Sequence, residues 1–135
     1  IRAGGRVIVD SSAIVAILLR EPGYDDLVDH LASAPVAGVG APTLTETGIV
    51  LAAKLGLPGK TLLARFVPEA GLAVIQFGPD HWPAAVDAWL RFGKGRHAAG
   101  LDFGDCLTYA IAKLAGQPLL CVGDDFGKTD LEIVR

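Results

Sequence analysis

Six acids in this chain stand where a carboxylate could do chemistry: Asp10, Glu46, Asp102, Asp105, Asp124 and Asp125. Asp10 closes the run Val7-Ile8-Val9 and opens Ser11-Ser12-Ala13, so it lies where a short buried strand turns into a helix. Asp124 and Asp125 follow Leu119-Leu120-Cys121-Val122 in the same way. Glu46 falls early in a helical stretch opened by Pro42, while Asp102 and Asp105 frame the start of another at Phe103. Each has an ordinary structural alternative. Asp10 can cap the helix beside it, and Glu46 can be a partly exposed acid near a helix N-terminus. Asp105 can occupy the third helical position after an Asp102 N-cap, and Asp124-Asp125 can be turn chemistry.

Convergence is what turns these acids into a candidate site. Asp10 and Asp125 would occupy matching ends of parallel strands, with Glu46 and Asp105 on helices that can pack beside them. Two carboxylates ~5 Å apart repel by roughly 3 kcal/mol at an effective dielectric of ~20, so three or four in one crevice require a cation. Hard oxygen ligands at that density select Mg²⁺ or Mn²⁺ over zinc. One or two such ions holding a phosphate and activating water would make a phosphodiester hydrolase.

The elements that must position the acids alternate strand with helix. Val7, Ile8 and Val9 are continuous and β-branched, the pattern of a parallel strand covered on both faces. Ser11 or Ser12 is expected to cap a helix beginning at Ala13, which Glu21-Pro22-Gly23 ends. A helix over residues 24–32, a short strand over 36–39 and a helix over 42–55 closed by Gly56 follow. Beyond these, the pattern predicts helices over 59–67, 80–92 and 103–115, and strands over 73–77 and 119–122. The 42–55 helix is apolar beside Glu46, at Ile49, Val50 and Ala53, and also opposite it, at Leu44, Leu51 and Leu55, which predicts burial all round. Trp82 and Trp89 fit the helical stripe with Val86 and Leu90 and are expected to be core or interface anchors. Parallel βαβ units with right-handed crossovers make a three-layer α/β/α sandwich with a short parallel sheet.

Composition agrees with one soluble domain: of 135 residues, 51% are hydrophobic and 20% charged. The domain is expected over residues 7–135. No methionine is present, initiator included, so residues 1–6 are set aside as a processed or foreign N-terminal extension. No apolar run approaches the roughly 18 residues of a membrane span, and no signal-peptide layout is seen, so the expected location is the cytoplasm. Cys106 and Cys121, with no partner at metal-ligand spacing, are expected to be reduced core residues. The net charge of -3 excludes a general nucleic-acid binder. Any nucleic-acid contact must be local, and Lys94, Arg96 and His97 in a glycine-rich loop, with Lys128 after the Asp125 turn, are placed to ring the crevice. A solvated surface loop is the alternative.

Together, Val-Ile-Val-Asp10-Ser-Ser12-Ala, Glu46, Gly-Leu-Asp102-Phe-Gly-Asp105-Cys and Gly-Asp-Asp125-Phe-Gly-Lys-Thr-Asp130 resemble a PIN domain, and in particular the VapC toxins of toxin–antitoxin pairs. The resemblance runs over nearly the whole chain from Val7. It implies a Mg²⁺- or Mn²⁺-dependent endoribonuclease toxin of a type II system, usually homodimeric, held inactive by a VapB antitoxin. Asp10, Glu46, Asp105 and Asp125 match the acidic quartet, with Asp10, Asp105 and Asp125 as metal ligands. Ser12 matches a supporting position. Ser11 stands where Thr is usual and Asp102 where Asn is common, and Asp124 competes with Asp125 for the fourth carboxylate. Two other classes compete with the toxin: a Mg²⁺-binding receiver domain, and a PIN-fold binding module without activity. A receiver wants adjacent acids near its first strand, where Asp10 has no acidic neighbour.

Overall fold

The computed structural model describes residues 6–134, so most of the N-terminal extension lies outside the described residues. Four parallel strands form one sheet in the order β3-β2-β1-β4: β1 (Val7–Val9), β2 (Ala37–Gly40), β3 (Leu72–Ile75) and β4 (Leu119–Leu120). β1 is interior, with Ile8 facing Gly38 on one side and Leu119 on the other. Because side chains alternate along a strand, β1 feeds two cores. Val7 and Val9 join Ile14, Val39, Leu51 and Leu63. Ile8 joins Ala88, Leu101, Ile111 and Leu119.

Among the described residues six α-helices complete the layers: α1 (Ser11–Leu18), α2 (Tyr24–Ser33), α3 (Ala41–Leu55), α4 (Leu57–Glu69), α5 (His81–Phe92) and α6 (Phe103–Ala115). The expected α/β sandwich is the observed one. No helix among the described residues is long and apolar enough to cross a membrane.

Several local expectations change. Helix α1 begins at Ser11 rather than Ala13, because Asp10 itself is the N-cap, with extended backbone and a carboxylate that accepts from the Ser12 amide. Neither serine caps the helix. In α3 only Thr43, Thr47 and Leu51 are buried, and Ile49 is 66% exposed, so the face carrying Glu46 opens outward. Apolar residues all round a helix thus do not mean burial all round. Trp82 and Trp89 are 61% and 43% exposed and are not core residues. Cys106 is buried, Cys121 is half-buried, and no disulfide joins them.

The outer edge of β4 is covered by the residues that follow it: the Leu119 amide donates to the Glu132 carbonyl at 2.9 Å, and the Val134 amide donates to the Leu119 carbonyl at 2.9 Å. Asp130 anchors this segment, accepting from the Tyr109 hydroxyl at 2.7 Å and Lys113 Nζ at 2.8 Å. Burial would raise the Asp130 carboxyl, but those two hydrogen bonds and the charges of Lys113 and Arg91 override it and hold it at about 2. A carboxyl depressed in the fold stabilises above its unfolded value and loses that contribution as pH falls through 3.8 towards 2. Solvent reaches the cluster, so the contribution is discounted to about 1 kcal/mol. Asp130→Asn is therefore expected to lower the melting temperature at neutral pH and to match wild type near pH 2; a gap persisting at low pH would contradict this.

Candidate active site

The chain steps from β1 to β2 to β3 in one direction, then returns to place β4 on the other side of β1. The strand ends at β1 and β4 thus form a topological switch point, the crevice where open α/β sheets bind ligands. Asp10 lies there, 4% exposed, with its amide bonded to the Leu120 carbonyl at 2.9 Å. Asp10 Oδ2 accepts from the Ser12 amide at 3.1 Å and from Ser12 Oγ at 2.6 Å. Ser12 Oγ in turn accepts from the Val122 amide at 2.9 Å. One hydroxyl therefore stitches the end of β1 to the turn after β4 and fixes the Asp10 carboxylate between them.

Glu46 reaches the crevice from α3, where Ser11 Oγ donates to its Oε1 at 3.2 Å. Its other oxygen lies against Gly104 in the first turn of α6, so close that any Cβ at Gly104 would collide with the carboxylate. Asp105 is placed by a capping box: its amide donates to Asp102 Oδ1 at 2.9 Å, and the Asp102 amide donates to Asp105 Oδ2 at 3.1 Å. The structural reading of Asp105 is thus satisfied, yet the same geometry carries it towards Asp10.

The electrostatics join these acids. Burial raises the Asp105 carboxyl; the Asp102 amide partly offsets this, and the charges of Asp102 and Asp10 push it further, to about 7. Glu46 is raised by burial, with Ser11 opposing and the charges of Asp10 and Asp102 adding. Asp10, Glu46, Asp102 and Asp105 therefore share one negative field. Cys106 beside them is pushed up to about 11 by burial and by Asp105 and Asp102, so its thiol stays protonated at neutral pH and is a poor nucleophile.

Asp124 and Asp125 are exposed in the turn after β4, ahead of a 3-10 turn at Phe126–Lys128. The structure does not bring them into the group, and their charges are not among those acting on Glu46 or Asp105. Among the described residues no three His, Cys, Asp or Glu side chains stand in a ready metal cage. The fit to a hard divalent cation rests on donor chemistry and on the unrelieved repulsion among carboxylates.

The basic loop is closed at its base by a Gly93–Leu101 bridge. Arg96 lies 4.8 Å over the Trp89 ring and donates from Nε to the Leu90 carbonyl at 3.2 Å. His97 Nδ1 accepts from the Ala99 amide at 3.0 Å, and its ring packs edge-on against Phe92. Lys94 and Lys128 are exposed. Among the described residues, none of these cations pairs with an acid of the site.

Ser11 and Gly104 were not distinguished by sequence reasoning as parts of the site. Gly104 had a signal: glycine early in a helix costs up to about 1 kcal/mol relative to alanine, and a residue that costly usually marks a close approach. Beside the acids, a groove of about 410 Å³ is lined by Glu46, Ile49, Val50, Phe103 and Leu107. It adjoins another of about 540 Å³ lined by Trp82, Val86, Trp89 and Phe103.

Known proteins agree with this architecture. The PIN domain family model matches residues 7–131. Ribonuclease VapC36 of Mycobacterium tuberculosis is 49% identical over 127 residues, covering 93% of this chain and 91% of that protein. Ribonuclease VapC of Mycolicibacterium smegmatis is 41% identical over 129 residues, covering 96% and 100%. Among solved structures, Mycobacterium tuberculosis VapC20, described as a sarcin-ricin loop cleaving toxin, superposes with a TM-score of 0.78 at 20% identity over 96% of this chain and 98% of that one. VapBC2 of Rickettsia felis, bound to a DNA fragment from its promoter, gives 0.76 at 14% identity over 96% and 97%.

Proposed function

This chain belongs to the PIN-domain family, and from that premise we infer that it is a VapC-type ribonuclease toxin, hydrolysing RNA phosphodiester bonds at its acid cluster with Mg²⁺ or Mn²⁺. The observation that carries the inference is the gathering of Asp10, Glu46 and Asp105 at one crevice, where burial first, and then the charges of neighbouring acids, raise both Glu46 and Asp105, the latter to about 7. Asp10 and Asp105 would hold the cation, and Asp125 or its neighbour Asp124 would complete the set only by a movement of the exposed turn after β4. Glu46 faces them from α3 and would position the attacking water. When bound, the cation supplies Lewis-acid polarisation of the phosphate and activation of water. Ser12 keeps Asp10 oriented, Ser11 keeps Glu46 oriented, and Asp102 fixes the backbone from which Asp105 projects. Lys94, Arg96, His97 and Lys128 would contact RNA phosphates on either side of the cut, with Trp89 supporting Arg96.

The test is cleavage of structured RNA with Mg²⁺ or Mn²⁺, with Asp10→Asn as control. Asn keeps an oxygen that can cap α1, so loss of cleavage with an unchanged melt supports the assignment. No cleavage of any RNA by wild type would remove it and favour the binding-module reading.

Two partners belong to the same reading. A VapB-type antitoxin would be drawn by the negative crevice and insert a cation there; binding indifferent to Glu46→Gln and Asp105→Asn would count against that mode. A second copy of the chain would cover the exposed apolar face of Ile49, Trp82, Val86, Trp89 and Phe103, which is the kind of surface that marks a protein interface. Val86→Glu is expected to halve the mass seen by sedimentation; a monomeric wild type would remove the dimer.

A further inference from the structure

The segment from Gly40, at the end of β2, into α3 runs antiparallel to α6, through contacts that recur every three residues along it and every three or four along α6. At the bottom, Gly40 lies against Ile111, so close that a Cβ at Gly40 would overlap that side chain. One step up, Thr43 Oγ1 and Thr108 Oγ1 share a hydrogen bond of 2.8 Å. At the top, Glu46 lies over Gly104, next to Asp105. Residues three apart on a helix share a face, so Thr43 is directly below Glu46 and Thr108 directly below Asp105.

The middle contact is unusual chemically. Thr43 is 2% exposed and Thr108 1% exposed, which leaves each hydroxyl dependent on the other. Thr47, fully buried a turn along, donates to the Thr43 carbonyl at 2.8 Å and so does not compete for the hydroxyl. Apolar side chains of similar volume at both positions would avoid the desolvation of two hydroxyls. They could not approach as closely, because carbon atoms pack at about 3.5–4.0 Å.

We propose that the Thr43–Thr108 hydrogen bond is a positioning clamp, holding α3 and α6 at the separation that brings Glu46 and Asp105 to the same crevice. The pair touches no substrate. It acts through the two acids one helical step above it, and its role rests on the ribonuclease reading of those acids.

The test separates stability from position. Thr43→Val or Thr108→Val alone strands a buried hydroxyl and is expected to lower the melting temperature by about 5 °C. The double variant Thr43→Val/Thr108→Val removes both hydroxyls at nearly constant shape, so its melting temperature is expected to return to within about 2 °C of wild type. Its helices must part by roughly 1 Å, and kcat on RNA is expected to fall on the order of 10- to 100-fold with KM little changed. Thr43→Ser and Thr108→Ser, which keep the hydroxyls, should retain kcat. Crystal structures of wild type and the double variant supply a reading independent of activity: the Glu46 and Asp105 carboxylates should be farther apart in the variant. A double variant with unchanged carboxylate spacing, or with kcat within twofold of wild type, overturns the clamp while leaving the ribonuclease reading intact. A wild type that cleaves no RNA overturns the ribonuclease reading, and the clamp's catalytic purpose with it.

Discussion

Asp105→Asn is expected to make the cation-free protein more stable at pH 8 while abolishing both cation-induced stabilisation and RNA cleavage. The wild-type carboxyl sits at about 7 in the fold against 3.8 as its ordinary value, so the folded protein holds a proton that the unfolded chain releases. For an acid raised in this way, the destabilising cost grows as pH rises from about 4 and is complete above about 7. Partial exposure screens the cost, leaving about 1–3 kcal/mol, or a rise in melting temperature of roughly 3–10 °C. The capping box survives because the Asn side-chain oxygen still accepts from the Asp102 amide. The gain should shrink as pH is lowered from 7 towards 4, where wild-type Asp105 becomes protonated. Melts in chelator at pH 8 and pH 5, repeated with excess Mg²⁺, measure the stability changes, and a cleavage assay on RNA measures the loss of activity. A variant that melts lower in chelator and keeps the full Mg²⁺ shift would make Asp105 a capping residue alone.

Gly104→Ala should separate folding from function in another way. Alanine is the better helix former, and the added methyl meets only the mobile end of Glu46, so the protein should fold with a melting temperature near that of wild type. The methyl must nevertheless push the Glu46 carboxylate aside. Displacement of about 1 Å at a catalytic group costs up to about 100-fold, so cleavage is expected to fall by 10- to 100-fold. If the effect passes through Glu46, adding Gly104→Ala to Glu46→Gln should cost almost nothing further. Fully multiplicative losses in the double variant would show that Gly104 acts elsewhere.

The fold was legible because its signals are local. Val7-Ile8-Val9 could only be a covered strand, and α3, α5 and α6 carried their own stops at Gly56, Gly93 and Gly116. The expectation that Asp10, Glu46, Asp105 and Asp125 converge came from the order of elements, since parallel topology gathers strand ends on one side; Asp10 acts on both Glu46 and Asp105, whereas Asp125 lies exposed in its turn. Less visible were contacts that depend on distances between helices. Nothing local distinguishes the outward face of α3 from its buried face, because Ile49 and Leu51 are equally apolar. The Thr43–Thr108 bond spans 65 residues and leaves no trace in either helix's periodicity. Sequence offered Asp10 and two adjacent serines as caps of α1, all of them good cap formers, and could not choose among them; the structure gives the cap to Asp10. Arg96 shows the same limit for charge: its neighbours in sequence say nothing of the Trp89 ring on which it rests.

The placement of Asp10 directly after the interior strand has a consequence for hydrogen exchange. Its amide is bonded to Leu120 and that strand is flanked by β2 and β4, so that proton should exchange only when the whole domain opens. The Asp124 and Asp125 amides lie in an exposed turn and should exchange early. The candidate site therefore spans both extremes of local stability. A ligand closing it should slow exchange in the turn by many-fold and alter Asp10 only as far as it raises the stability of the entire fold.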